Sequence, residues 1–145
     1  NAQNALGWLY NEGKGAGLDF GQAFKWYMLA AEQGNVHAHY NLGFLHEHGN
    51  GTPRDEGAAM HWYTLAAQHG DDRAYYRLGL MYARATTTPE DSVRAYMWYH
   101  IAAAQAEDQI AAGNRNSLAA QMSPAQLQQA QNLASECVKK NYNGC

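Results

Sequence analysis

The sequence predicts an all-α solenoid built from helix-turn-helix repeats. Shifted by 36 positions, the chain superposes on itself over three successive copies. Within each copy the apolar residues recur at i, i+3, i+4 and i+7, the spacing of a helix face, and not in the alternation of a strand. The length, 145 residues, is that of one ordinary domain. Such a domain buries about two thirds of the surface of its unfolded chain and needs neither metal nor disulfide merely to fold.

The superposition aligns Leu6, Leu42 and Leu78; Gly7, Gly43 and Gly79; Trp26-Tyr27, Trp62-Tyr63 and Trp98-Tyr99; and Ala30-Ala31, Ala66-Ala67 and Ala102-Ala103. It defines units 1–35, 36–71 and 72–108, each of two helices. In the second unit, Ala38, Leu42 and Leu45 mark the buried face of helix A, and Ala59, Trp62, Tyr63, Ala66 and Ala67 that of helix B. Each unit can bury its apolar stripes only on its neighbours. The turns "GKGAGLD", "GNGTPRD" and "ATTTPED" separate the helices, with Asp19, Asp55 and Asp91 expected as N-caps and Asp19 with Gln22 spelling a capping box. The third turn lacks the glycines of the others, so a different shape is expected. Gly34 and Gly70 read as C′ residues of helix B, and Ala106 in their place predicts a helix that runs on further.

After residue 108 the register lapses. "QIAAGNRNSLAAQM" still suits a helix, and "SPAQLQQAQNLASECVKK" predicts another. In the latter, Ser123 is the N-cap, Pro124 the first helical residue, Gln126 the partner in a capping box, and Leu127, Ala130, Ala134, Cys137 and Val138 share one face. Its opposite face is rich in Gln and Lys, so residues 109–145 read as C-terminal capping helices and a tail. At the other end Asn1 aligns with His37, which starts helix A in its first turn without a cap. The sequence therefore reads as a piece of a longer chain, with an earlier repeat or an export signal expected upstream.

The pattern A-x-x-x-L-G-x-x-Y-x-x-G-x-G followed by D-x-x-x-A-x-x-W-Y-x-x-A-A-x-x-G is complete in "AQNALGWLYNEGKG" plus "DFGQAFKWYMLAAEQG". It closely resembles the Sel-one-like repeat, a bacterial relative of the tetratricopeptide repeat. The resemblance spans residues 1–108, and "MSPAQLQQAQNLA" resembles the C-terminal cap of bacterial members. Departures are His46 where Tyr10 and Tyr82 stand, and Ala85, Thr87 and Ala106 in place of glycines; they put local turn geometry in question, not the fold. The resemblance implies a right-handed α/α superhelix that serves as a protein-binding adaptor, with relatives in signalling, envelope assembly, secretion-system immunity and host interaction. It implies no catalytic reaction, no cofactor and no required small molecule.

Read directly, the residues offer little chemistry. Six of the seven histidines (His37, His39, His46, His48, His61 and His69) lie in the second unit. Side chains at i and i+2 of a helix point about 200° apart, however, so neither His37 with His39 nor His46 with His48 can chelate one ion. His39 and His46 share a face; the simpler reading puts His46 in a tyrosine slot and the others at the polar surface. The four serines have no nucleophile motif around them. "GKGAG" lacks the GK[ST] ending of a phosphate loop and joins two helices. The formal charge is −3 with ten scattered Lys and Arg, which argues against a nucleic-acid partner. No run of apolar residues reaches the 18 or so needed to span a bilayer, and a chain without membrane insertion is expected.

The two cysteines, Cys137 and Cys145, flank "VKKNYNG". A straight helix would hold them about 12 Å apart, whereas a turn at Asn141 to Gly144 can bring their Cα atoms within disulfide range. The alternatives are a bridge and two free thiols with Cys137 buried. The bridge is favoured because these are the only cysteines and an Asn-Gly turn separates them. A bridge would place the protein in the periplasm or outside the cell, with the cytoplasm left open.

Helix A carries a second face that its core stripe does not use. In the second unit it holds His37, Tyr40, Phe44, Glu47 and His48, and the aligned residues include Asn4, Trp8, Asn11 and Glu12 in the first unit and Arg73, Tyr76, Leu80 and Arg84 in the third. In tetratricopeptide-like solenoids this face lines the concave groove. Aromatic anchors edged by polar groups suit a peptide or a protein surface; alternatively Trp8, Phe44 and Leu80 pack between successive A helices. The Trp-Tyr doublets, by contrast, fall on the helix B stripe and read as architecture. The expected function is a non-catalytic module that binds another protein or peptide. The alternatives are an immunity protein that blocks a secreted toxin and, less favoured for want of an activated serine, a β-lactam-binding or -hydrolysing enzyme.

Overall fold

A computed structural model describes residues 1–15, 17–85 and 88–145. Among them are eight α-helices and no strand: α1 (Ala2–Glu12), α2 (Phe20–Glu32), α3 (Val36–His48), α4 (Glu56–Gln68), α5 (Arg73–Ala85), α6 (Pro89–Gln105), α7 (Gln109–Ala119) and α8 (Pro124–Lys139). They fall into two compact units, residues 1–71 and 72–145.

In the first unit α1 packs on α2, α2 on α3, and α3 on α4. The start of each B helix is fixed twice. The Asp19 and Asp55 side chains accept from the backbone N–H of Gln22 and Ala58, and their own N–H groups donate to the Tyr10 and His46 carbonyls at 3.0 Å. The second bond explains a correction: Asp19 and Gln22 do not form the full capping box, because the Asp19 N–H is already committed to the end of α1. Both B helices close identically. Gly34, at φ 78°, donates to the Ala31 carbonyl while Asn35 donates to Ala30, and Gly70 and Asp71 do the same to Ala67 and Ala66, so two orphan carbonyls are satisfied at each end. Asn1 is also a correction, since its side chain accepts from the Asn4 N–H at 2.9 Å and caps α1. Gly51 has a specific reason to lack a side chain: a Cβ there would collide with the Phe20 carbonyl oxygen.

The core of this unit gathers Ala23, Tyr27, Leu42 and Leu45, with Tyr10, Phe24, Met28 and Trp62 packed against it. Its tightest feature is a glycine under an aromatic ring. A Cβ built on Gly7 would lie 2.6 Å from two ring carbons of Tyr27, and one on Gly43 would lie 2.7 Å from two of Tyr63. Each tyrosine of a Trp-Tyr doublet thus lies flat on the backbone of helix A, whereas Trp26 and Trp62 are only half-buried.

In the second unit α6 is central and packs on α5, α7 and α8. The glycine seat recurs, with Gly79 under Tyr99 at 2.6 Å. The helix start does not recur. Asp91 is not the N-cap: Thr88 caps α6 and Asp91 closes a capping box from inside the first turn, with Pro89 at the first helical position. The aligned Thr52-Pro53 also has an acid, Asp55, three residues on, yet there the aspartate itself is the cap and α4 starts at Glu56, whereas α6 starts at Pro89, three residues earlier in the register. The expected change of shape in the third turn includes Thr87, which lies outside the described residues. At its other end α6 extends to Gln105, one residue beyond the positions where α2 and α4 stop, and Glu107 takes the left-handed conformation (φ 53°) that Gly34 and Gly70 take earlier.

The capping box of α8, Ser123 with Gln126, forms as expected. Ala130, Ala134 and Cys137 are buried along its inner face, but Val138 is exposed. Beyond Lys140, Asn141 (φ 52°) donates to the Val138 carbonyl and Tyr142 (φ 64°) to Cys137, which turns the chain back. Cys137 and Cys145 form a disulfide with Cα atoms 5.7 Å apart. Inside the loop it closes, Tyr142 is buried against Trp98 and Tyr75, with ring centroids 6.2 and 5.0 Å away, and Arg94 donates to the Cys145 carbonyl.

Two outcomes are expected. Gly43→Ala should lower stability by about 1–3 kcal/mol, the usual cost of overpacking. Gly113→Ala, where an added Cβ meets nothing within 4 Å, should raise it by about 0.5–1 kcal/mol; chemical denaturation of both variants compares them. Reducing the disulfide should remove at most roughly 2.5 kcal/mol, given the short loop, and should speed amide exchange at Tyr142, as read by hydrogen-exchange mass spectrometry with and without reductant.

Candidate functional site

The outward face of the A helices is laid out differently in the two units. In residues 1–71, Asn4 on α1 accepts from the Asn41 side chain of α3 at 3.2 Å, which ties the two A helices together. Trp8 is 44% exposed, and the Lys14 ammonium sits 4.6 Å from its ring centroid, a cation–π contact that also holds the indole in place. Asn11 donates to Glu12 beside it. On α3, Phe44 stacks on His48 at 4.1 Å, and the His48 Nδ1 donates to the Phe44 carbonyl. Tyr40 leans half-buried on the ring of Tyr63, 5.5 Å away. His37 is exposed, and its Nδ1 lies 3.7 Å from the buried carboxylate of Asp71. Trp8, Tyr40, Phe44 and His48 therefore form a partly open aromatic surface over α1 and α3.

Glu47 does not belong to that surface. It is only 3% exposed, and its carboxylate accepts from the Tyr63 hydroxyl at 2.6 Å. Once the Tyr63 ring is seated on Gly43, its hydroxyl arrives one helical turn further on, beside residue 47. Glu47 secures the core edge of α3 and is not available to a partner.

In residues 72–145, Arg73 and Arg84 are exposed at the two ends of α5, with Tyr76 and Leu80 half-buried between them. Tyr76 leans on Tyr99 with centroids 6.1 Å apart. The Tyr99 hydroxyl hydrogen-bonds with Asn114 of α7, and its pKa is raised, chiefly by burial and then by Tyr76. Lys14, Asn41 and Asn114 are the residues of these surfaces that the repeat pattern does not reveal. Lys14 lies in a turn, Asn41 aligns with Ala5, and Asn114 lies beyond the periodic region.

His39 is corrected from surface to interior. It is 7% exposed, stacks on Trp62 at 5.7 Å and lies 5.4 Å from His69, in the slot that Tyr75 fills against Trp98 in the second unit. His46 meets Phe24 edge-on at 5.6 Å from the position of Tyr10 and Tyr82. Among the described residues, no group of three or more His, Cys, Asp or Glu is arranged to hold a metal ion. No helix among them is long and apolar enough to cross a membrane. Between α6 and α8 lies a cleft of about 290 Å³, lined by Ile101, Ala104, Ala134 and Val138 with His100, Gln105, Ser135 and Lys139; none of the expected site residues lines it.

The chain matches the Sel1 repeat over residues 1–35, 36–71 and 72–107. It belongs to the Sel1 repeat family. Among solved structures it resembles c5321, a protective antigen of uropathogenic Escherichia coli strains displaying an SLR fold, with a TM-score of 0.84 and 28% identity over 97% of this chain and 31% of that one. It also resembles a Sel1 repeat protein from Oxalobacter formigenes, with a TM-score of 0.68 and 34% identity over 78% of this chain and 46% of the other. The chain thus spans less than half the length of either neighbour. No curated protein matches it. The fold is the all-α helical-repeat solenoid of this family, and Sel1 repeats generally mediate protein–protein interactions.

Burial makes the histidines pH-sensitive. His39, His46 and His100 all have lowered pKa values, with desolvation the largest cause in each; neighbouring His69 and His61 add to the effect at His39, Asp55 opposes it at His46, and Arg115 adds to it at His100. As the pH falls through the ordinary value of 6.5, the unfolded chain takes up these protons before the folded one. Stability is therefore full above that value and is lost as the pH falls toward the lowered folded values. His39→Gln, which installs the residue found at aligned position 3, is expected to flatten the decline between about pH 7 and 5. Urea midpoints at each pH provide the check, and an unchanged decline contradicts it.

Proposed function

We propose that this chain is a non-catalytic binding module whose A-helix faces take up an extended segment or loop of a partner protein. The observation that carries this reading is the aromatic surface of α1 and α3. Trp8 stands 44% exposed under Lys14, and Phe44 is stacked on His48 beside half-buried Tyr40. A large indole held open at the surface costs solvation and contributes nothing to the core, but it suits an anchor point in a protein interface. The family supports the same reading, since Sel1 repeats generally bind proteins. The Cys137–Cys145 disulfide supports a working location in an oxidising compartment, the periplasm or the cell exterior.

The experiment is affinity capture from the native host, followed by titration of the captured partner against Trp8→Ala and Phe44→Ala variants. Each variant is expected to lose at least tenfold in affinity, a change of about 1.4 kcal/mol or more, with its melting temperature nearly unchanged because neither ring lies in the core. Undiminished affinity in both folded variants rejects this surface. For the compartment, alkylation without reductant followed by mass spectrometry of protein from the host should leave both cysteines unlabelled.

A further inference from the structure

Two asparagines stand directly before glycine, Asn50 before Gly51 and Asn143 before Gly144. Such a pair is chemically labile, because a glycine has no side chain to shield its backbone nitrogen or to hinder rotation about it, and that nitrogen can reach the carboxamide of the asparagine before it. By sequence the two sites are alike. Their surroundings separate them. Gly51 is wedged against α2: a Cβ there would lie 2.2 Å from the Phe20 carbonyl oxygen and 3.0 Å from the Gly21 backbone nitrogen. Asn50 beside it is half-buried, and its N–H donates to the Leu45 carbonyl at 2.9 Å. Gly144, at φ 71°, has open space instead, since a Cβ there meets nothing within 4 Å, and Asn143 and Gly144 are both exposed. Among the described residues neither glycine N–H donates to a backbone carbonyl, so the difference between the sites is the room in which the backbone can move.

We propose that Asn143 is a site of self-modification, at which the folded protein converts its asparagine to aspartate and isoaspartate, while packing against α2 holds Asn50 unchanged. The Gly144 backbone nitrogen gives its proton to a solvent base and attacks Cγ of Asn143. A carbon–nitrogen bond forms to close a five-membered imide, and the side-chain carbon–nitrogen bond breaks, with the nitrogen leaving as ammonia after taking a proton from water. Water then adds to one of the two imide carbonyls and reopens the ring, to aspartate or to isoaspartate according to the carbonyl attacked. The reaction consumes one water, releases one ammonia and needs no oxidant, reductant or enzyme. It leaves one negative charge more than the formal −3 of the chain. In isoaspartate the main chain runs through the former side chain and is one carbon longer, inside the loop that Cys137 and Cys145 close. That loop seats Tyr142 against Trp98 and Tyr75, so the longer backbone loosens the cover over Trp98. An exposed turn near a chain end is also where local opening costs least.

The test incubates the full chain, disulfide intact, in mildly alkaline buffer. Peptide mapping by mass spectrometry at intervals follows amide loss at each asparagine, and an isoaspartyl methyltransferase with labelled S-adenosylmethionine marks the isomer. Position 143 is expected to convert at least about tenfold faster than position 50, a barrier difference of about 1.4 kcal/mol. The two rates should converge once the chain is reduced and unfolded in guanidinium chloride, where neither turn is held. Equal rates in the folded protein, faster conversion at Asn50, or an Asn143 that converts only after unfolding overturns the proposal. Asn143→Gln, whose longer side chain would have to close a less favourable six-membered ring, should abolish methyl labelling of the tail; labelling that persists there places the reaction at Asn141 and overturns the assignment to Asn143. In hydrogen exchange, aged wild type should exchange the Tyr142 amide faster than equally aged Asn143→Gln. Equal exchange in the two contradicts the loosening of the tail.

Discussion

A glycine lying beneath a tyrosine ring sets the distance between helix A and helix B in all three repeats. Gly7 under Tyr27, Gly43 under Tyr63 and Gly79 under Tyr99 leave no room for a single methyl group, since a Cβ would approach the ring carbons to 2.6–2.7 Å. The close approach lets a large ring be fully buried between two helices; Tyr27 and Tyr63 lie among the most deeply buried large side chains of the chain, and burial of that size stabilises by about 1.5–3 kcal/mol each. It also fixes where the hydroxyl goes. The ring spans the backbone of helix A and delivers its oxygen to the far side, where Tyr63 meets Glu47 and Tyr99 meets Asn114. Tyr40 and Tyr76 rest on those same rings from outside. The candidate binding faces are therefore built on the back of the core contact, which positions them without flexible loops.

Much of this could be read from the residues in order. The 36-residue period, the helix stripes and the glycine stops follow from local rules that depend on near neighbours in sequence, and the doublets are architectural because they sit on the stripe. What escaped depended on events at a distance. Glu47 looks like a surface residue by type and by helical angle, and only the seating of Tyr63 on Gly43 brings a hydroxyl to it across sixteen positions. His39 lies at the edge of the core stripe and is covered by Trp62 and His69 from the neighbouring helix. Asp91 is a different case. The repeat register points to a cap at that position, but α6 starts three residues earlier with Thr88 as its cap; Thr-Pro with an acid three residues on also stands at Thr52-Pro53, where Asp55 is the cap, so the local sequence does not distinguish the two starts.

The two units carry different side chains on the same scaffold. The first has exposed Trp8 on α1 and half-buried Tyr40 and Phe44 on α3, and its buried histidine stands where the second has a tyrosine. The second presents arginines on α5 and completes its aromatic cluster with Tyr142, a residue from the tail that the disulfide and Arg94 hold in place. Trp98, 1% exposed, owes part of its burial to that tail, whereas Trp62, which has no such cover, remains half-buried. Variation at a few positions around an invariant glycine and tyrosine is enough to change the chemistry of the surface while the packing is kept.

The central claim concerns that glycine and tyrosine, and a double-mutant cycle on Gly43→Ala and Tyr63→Ala measures it most directly. If the ring against the backbone is the constraint, alanine at 43 costs stability when Tyr63 is present and costs little or nothing once the ring is gone, giving a coupling energy of about 1 kcal/mol or more. Additive effects, with the same penalty at position 43 whether or not the ring is there, would contradict the account.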